Sequence, residues 1–173
     1  MRPDEPLAVL CHGDFNRNNL MFRYDAASGR PVDALPLDMA TVRYGSPALD
    51  LSFFLYMNTD RRTRERHWDA LLNEYCAALS ASVSDVRDEA VPVPDRARLD
   101  AEMRDRGVYG LPLVSFYVRM MMDEQQAFRV ETFFDSDEKL LREMVPLGGD
   151  RATDIIADAV PHFLDCVYAT TAD

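Results

Sequence analysis

The run Leu10-Cys11-His12-Gly13-Asp14-Phe15-Asn16-Arg17-Asn18-Asn19-Leu20-Met21-Phe22 passes from apolar to polar and back within thirteen residues. Leu7 to Cys11 is a short apolar segment of strand type, His12 to Asn19 a polar loop, and Leu20 to Tyr24 a second strand. Asp25 to Gly29 supply turn residues. Val32 to Leu37 read as a third strand, with Pro31 at its entry and Pro36 pointing to irregular or edge pairing. The expected unit is a small β-hairpin entered through a polar loop.

From Pro47 the period becomes helical. Ala48 to Met57 are apolar almost all round and predict a buried helix. A second helix follows the cap candidates Thr59 and Asp60. Trp68, Leu71, Leu72, Tyr75 and Leu79 lie on its inner face, and Arg61 to Arg66 on the solvated side. Ser80 to Pro94, with small residues, acids and two prolines, reads as a linker. Helices are expected over 95–106, which Gly107 can terminate, and over 111–126, 136–145 and 151–168, with Gly148-Gly149 separating the last two and Pro161 bending the final one. The Met120-Met121-Met122 run reads as core filling.

Length and composition fit one globular domain. No run of about 18 uncharged apolar residues occurs and the first residues lack the apolar stretch of a secretory signal, so a cytoplasmic protein without membrane contact is expected. Cys11, Cys76 and Cys166 are far apart among apolar neighbours and read as reduced core thiols. A formal net charge of −11 repels a phosphate backbone, which argues against nucleic-acid binding.

Phosphoryl transfer needs a group to orient the attacking hydroxyl and oxygen ligands for Mg²⁺. His12-Gly13-Asp14 follows a strand directly, and Asn19 stands five positions after Asp14. Because Asn19 opens one strand and Asp38 closes its antiparallel neighbour, the hairpin can bring both to one edge, within reach of one metal. Asp14, in a His-x-Asp-x-x-x-x-Asn pattern, then faces the acceptor hydroxyl as base or orienter. Taken singly, each residue also has a plainer reading: His12 as a satisfied structural histidine, Asp14 as a turn former, Asp38 as a strand end, Asp50 as an ordinary first-turn helix residue.

Together with Leu37-Asp38 and Arg43-Tyr44-Gly45-Ser46-Pro47-Ala48-Leu49-Asp50-Leu51, the opening run resembles the ecdysteroid kinase-like family, also called CHK kinase-like, related to choline and aminoglycoside kinases. The similarity is clearest from about Val9 to Leu79 and looser through the later helices. It implies an α+β, mainly α fold: the C-terminal lobe of a protein kinase-like domain over residues 1–173, with catalytic loop and metal-binding hairpin in 7–40 and a helical part in 47–173. It implies Asp14 as catalytic aspartate, Asn19 and Asp38 as Mg²⁺ ligands that thereby hold ATP, and His12 and Asp50 as supports of the loop. Asn18 matches the family's doubled asparagine. The acceptor implied is an ecdysteroid or another hydroxylated small molecule.

Two departures stand out. Met39-Ala40 follow Asp38 where the family usually has an aromatic and often glutamine. Neither a glycine-rich phosphate loop nor a strand lysine is found, since the sole lysine, Lys139, lies in a charged helix start. The expectation is therefore a lobe whose ATP-clamping N-terminal partner is absent, to be supplied by a longer chain or in trans. Such a chain is expected to be inactive alone. The competing reading is a non-catalytic lone lobe that binds an apolar ligand or a protein partner.

Overall fold

The computed structural model describes residues 5, 7–86, 93–124, 129, 131–132 and 136–169. The fold is α+β and mainly helical, with two small two-stranded antiparallel sheets ahead of the helices. Strand β2 (Leu20–Tyr24) pairs with β3 (Pro31–Pro36), from Leu20 opposite Pro36 to Tyr24 opposite Pro31. Pro36 sits where the ribbon has no further neighbour, the position a residue without an N–H tolerates. Strand β1 (Val9–Cys11) pairs instead with β4 (Arg43–Gly45), Cys11 lying opposite Arg43.

Helix α1 (Pro47–Asn58) starts where the sequence provides both signals for it. Ser46 Oγ accepts from the Ala48 amide at 3.1 Å, and Pro47 occupies the first turn. Its apolar faces are nearly all buried, including Ala48, Phe53, Leu55 and Tyr56. Around it pack α2 (Arg61–Val86), α3 (Arg96–Arg106), α4 (Gly110–Met121) and α6 (Gly149–His162), while α5 (Asp137–Met144) lies against α4. The core joins Leu72, Leu99, Met103, Val114, Val118, Ala152, Ala159 and Phe163 to α1. Helix α4 crosses α1 almost backbone to backbone, because a Cβ at Gly110 would lie 2.7 Å from the Ser52 carbonyl carbon.

Several expectations need correction. The linker read over Ser80 to Pro94 is helical as far as Val86: small residues without glycine or proline propagate α2, and Ser84 Oγ donates back to Ser80 O. Residues 87–92 lie outside the described residues, as do 125 and 126 of the expected fourth helix. The pairing of β1 with β4 was not foreseen, since three residues before a proline carry no periodic signal. Gly107 follows the last residue of α3 but keeps a right-handed conformation (φ −64°), and the chain runs through a 3-10 turn, Gly107–Tyr109, into α4. Its smallness serves packing, with the Phe163 ring 3.3 Å from the site of a Cβ.

Arg64 is not on the solvated side of α2. It is 1% exposed, its guanidinium bonds Asp158 at 2.6 Å and lies over the Tyr56 ring. The partner comes from α6, nearly a hundred residues later, which a local periodicity cannot reveal. Leu71, assigned to the inner face, is exposed, as is Met121 of the methionine run. Cys11 is buried, but Cys166 is exposed: Phe163 and Val167 take the inward positions of the terminal π turn, Phe163–Tyr168, and turn Cys166 outward. Pro161 is accommodated within α6, which widens into that π turn two residues later.

Candidate active site

The loop between β1 and β2 is shaped by a residue outside it. Asp50, in the first turn of α1, accepts the His12 amide at 2.6 Å through Oδ2 and the Gly13 amide at 3.0 Å through Oδ1. A carboxylate in the first turn also meets the positive end of the helix dipole. Gly13 turns the chain with φ +88°, and a Cβ there would collide with the Thr41 carbonyl oxygen. Thr41 Oγ1 donates to His12 O at 3.1 Å, closing the loop against the turn Met39–Thr41.

His12 is buried and satisfied at both ring nitrogens. Nε2 lies 2.7 Å from the Leu37 carbonyl, an acceptor only, so it carries the hydrogen, and Nδ1 is left to accept from the Asp14 amide at 3.3 Å. This neutral imidazole joins the β1–β2 loop to the end of the hairpin. Leu37 N in turn donates to Asn19 O at 2.8 Å. The start of β2 and the residue before Asp38 are thus hydrogen-bonded neighbours.

Asp14 is half-buried and its carboxylate is held from two sides. Asn16 Nδ2 donates to Oδ1 and Asn19 Nδ2 to Oδ2, each at 2.9 Å. Asn16 is buried and its own Oδ1 accepts the Asn18 amide at 2.9 Å, capping the 3-10 turn Arg17–Asn19. Two amide hydrogens and the Tyr117 hydroxyl leave about one of the four lone-pair positions of the carboxylate open. Tyr117 of α4 borders this group: its hydroxyl is pushed up, first by burial and then by the Asp14 charge.

Asp38 differs from the rest. It is exposed, adopts the left-handed conformation (φ 56°, ψ 64°), and its carboxylate accepts no hydrogen bond among the described residues. No other described residue besides glycine has positive φ. Asn19 likewise engages its Nδ2 with Asp14, which leaves its amide oxygen uncommitted. These are hard oxygen donors, the chemistry a small divalent cation selects. Among the described residues no cluster of three or more His, Cys, Asp or Glu is disposed for a metal. The donor set therefore fits an ion that keeps waters and takes phosphate oxygens, as Mg²⁺ does, rather than an all-protein cage. Cys11, behind the loop, is no nucleophile: burial foremost, then the Asp50 charge, pushes its thiol up to about 11.

Sequence reasoning missed Asn16, Thr41 and Tyr117. Asn16 carried a signal, an Asx residue two positions before the amide it caps, whereas Thr41 and Tyr117 are joined to the loop only by the fold.

A buried histidine and a helix-borne aspartate holding a loop that presents Asp14, with Asn19 at the head of a hairpin and Asp38 at its end, make this a kinase-like protein. The model of the ecdysteroid kinase-like family matches residues 1–87, half of the chain, and the chain belongs to that family. Its fold is accordingly kinase-like, and the family's activity is that of phosphotransferases acting on small molecules. No curated protein and no solved structure matches the chain. Among the described residues no helix is long and apolar enough to cross a membrane.

Proposed function

We propose that this chain carries the catalytic half of an ATP-dependent phosphotransferase that acts on a hydroxyl of a small molecule. The observation that carries the reading is the contrast between two carboxylates on one loop-and-hairpin unit. Asp14 is oriented by two amides and the Tyr117 hydroxyl and retains an open lone pair, while Asp38 is held in a costly backbone conformation with no side-chain partner among the described residues. Strain of this kind costs on the order of 1–3 kcal/mol and persists where its surroundings demand it.

In this mechanism Asp14 accepts a hydrogen bond from the acceptor O–H, aligns its oxygen and takes the proton as the new P–O bond forms and the bond to the leaving ADP breaks. Asn19 and Asp38 would hold Mg²⁺, which supplies charge neutralisation at the transferring phosphate. Asp50 and His12 act through the loop, fixing Asp14 in place. The elements that clamp the nucleotide are supplied by a lobe that covers the hairpin. The exposure of Met21 and Leu35 on the hairpin, of Met39 in the turn after it, and of Leu10 and Tyr44 on the second sheet supports this part of the reading.

The test is a calorimetric titration of the chain with Mg²⁺ and ATP beside Asp38→Asn and Asp14→Asn. Asparagine tolerates the left-handed conformation, so Asp38→Asn removes a ligand charge without straining the turn. Metal-dependent binding that is lost in Asp38→Asn and kept in Asp14→Asn is the expected result. No binding by the folded chain would favour a lone lobe without catalysis.

A further inference from the structure

Among the methionines of the described residues, Met21, Met39 and Met121 are exposed. Met121 is set apart by what its sulfur meets. Asn18 Nδ2 donates to Met121 Sδ at 3.6 Å, across 103 positions of sequence. Among the described residues this is the hydrogen bond that joins the 3-10 turn Arg17–Asn19 to α4, and the Asn18 side chain makes no other. Met121 is the last residue of α4, 49% exposed, and borders a surface cavity on either side, so a small solute reaches its sulfur from solvent.

The turn that this contact holds stands between the two residues that hold Asp14. Asn16 accepts the Asn18 amide at 2.9 Å and the Asn19 amide at 3.0 Å. Asn16 and Asn19 in turn donate to the Asp14 carboxylate. A thioether is a weak acceptor on a flexible stem, whereas a sulfoxide is polar and its oxygen is a strong acceptor. Oxidation at this one sulfur therefore changes the strength of the bond that fastens the turn.

We propose that Met121 is a reversible oxidation site for hydroperoxides, and that its sulfoxide oxygen takes the Asn18 amide and clamps the Arg17–Asn19 turn to α4. In the step, a sulfur lone pair attacks one peroxide oxygen, the S–O bond forms and the O–O bond breaks. The other oxygen leaves with a proton as water or an alcohol. Sulfur loses two electrons and the peroxide gains them. The proposal holds whether or not the chain transfers phosphate.

The test uses hydrogen peroxide on the folded chain carrying Met21→Leu/Met39→Leu, which removes the other two exposed thioethers at nearly constant volume. Fragmentation mass spectrometry assigns the added oxygen among Met120, Met121 and Met122. Met121 should be oxidised well before Met103, which is 1% exposed. By NMR, the Asn18 side-chain amide should then move downfield. Exchange of the Asn18 and Asn19 backbone amides should slow by about fivefold, the worth of one added neutral hydrogen bond. Methionine sulfoxide reductase with a dithiol should restore both signals. Met121→Leu in the same background retains the exposed Cys166, so it separates the effect from thiol oxidation, and it should show neither change. Oxidation of Met121 no faster than that of Met103 would overturn the proposal. So would unchanged or faster exchange in the turn after oxidation, the same slowing in Met121→Leu, or a change that the reductase does not reverse.

Discussion

Asp50 makes the two bonds on which the loop depends, and each hydrogen bond to a charged group contributes about 1.5–3 kcal/mol. Asp50→Asn keeps one acceptor but turns the other atom into a donor facing an amide. The variant should lose about 2 kcal/mol of stability in urea denaturation. His162 gives a pH signature. Burial first and the Arg64 charge second lower its pKa from 6.5 to about 4. Between those values the unfolded chain binds a proton that the folded chain refuses, so stability is full above pH 6.5 and falls as the pH drops toward 4. The loss is on the order of 3 kcal/mol. His162→Gln, followed by urea midpoints across that window, should flatten this dependence by up to one proton. His12, Asp14, Asn19, Asp38 and Asp50 were legible because they are close in sequence or sit at punctuated element boundaries. His162 and Arg64 were not, because what defines them is a burial and a partner supplied from a distant helix.

Helices were read well wherever an apolar face or a cap marks them, as at Ser46-Pro47, Asp60 and Ser136. Reading failed where the signal is compositional. Ser80 to Val86 has a linker's residues but no breaker, so α2 continues through it. The β1–β4 pair escaped for the opposite reason: its three-residue strands are held by the fold around them. Gly110 shows how tightly the helices are set. Ala is the better helix former by about 1 kcal/mol, yet its Cβ would meet the backbone of Ser52 and Phe53 at 2.7 and 2.8 Å. Gly110→Ala should therefore push α4 off α1 and destabilise the protein by about 1–3 kcal/mol, as overpacking does. A thermal melt at or above that of the wild type would contradict a close crossing.

The described surface combines strong acidity with exposed apolar residues on both faces of the β2–β3 ribbon. An isolated two-stranded ribbon is marginal in water, and its residues Met21, Phe22, Leu35 and Leu37 favour partnering. The chain should bind a solvatochromic apolar dye, and Met21→Lys/Leu35→Glu, which places opposite charges on directly paired positions, should lower the signal at least several-fold without lowering the melting temperature. An unchanged signal would locate the sticky surface elsewhere. The brace from Asp50 has a further consequence, for biosynthesis. It reaches back 38 residues to His12. At a ribosomal pace of roughly 5–20 residues per second, that separation is a wait of roughly 2–8 s. Throughout it the nascent loop has neither of its retaining amide bonds, and the greasy ribbon, Leu20–Pro36, emerges before Asp50 does. That interval is when a nascent-chain chaperone has the most to hold.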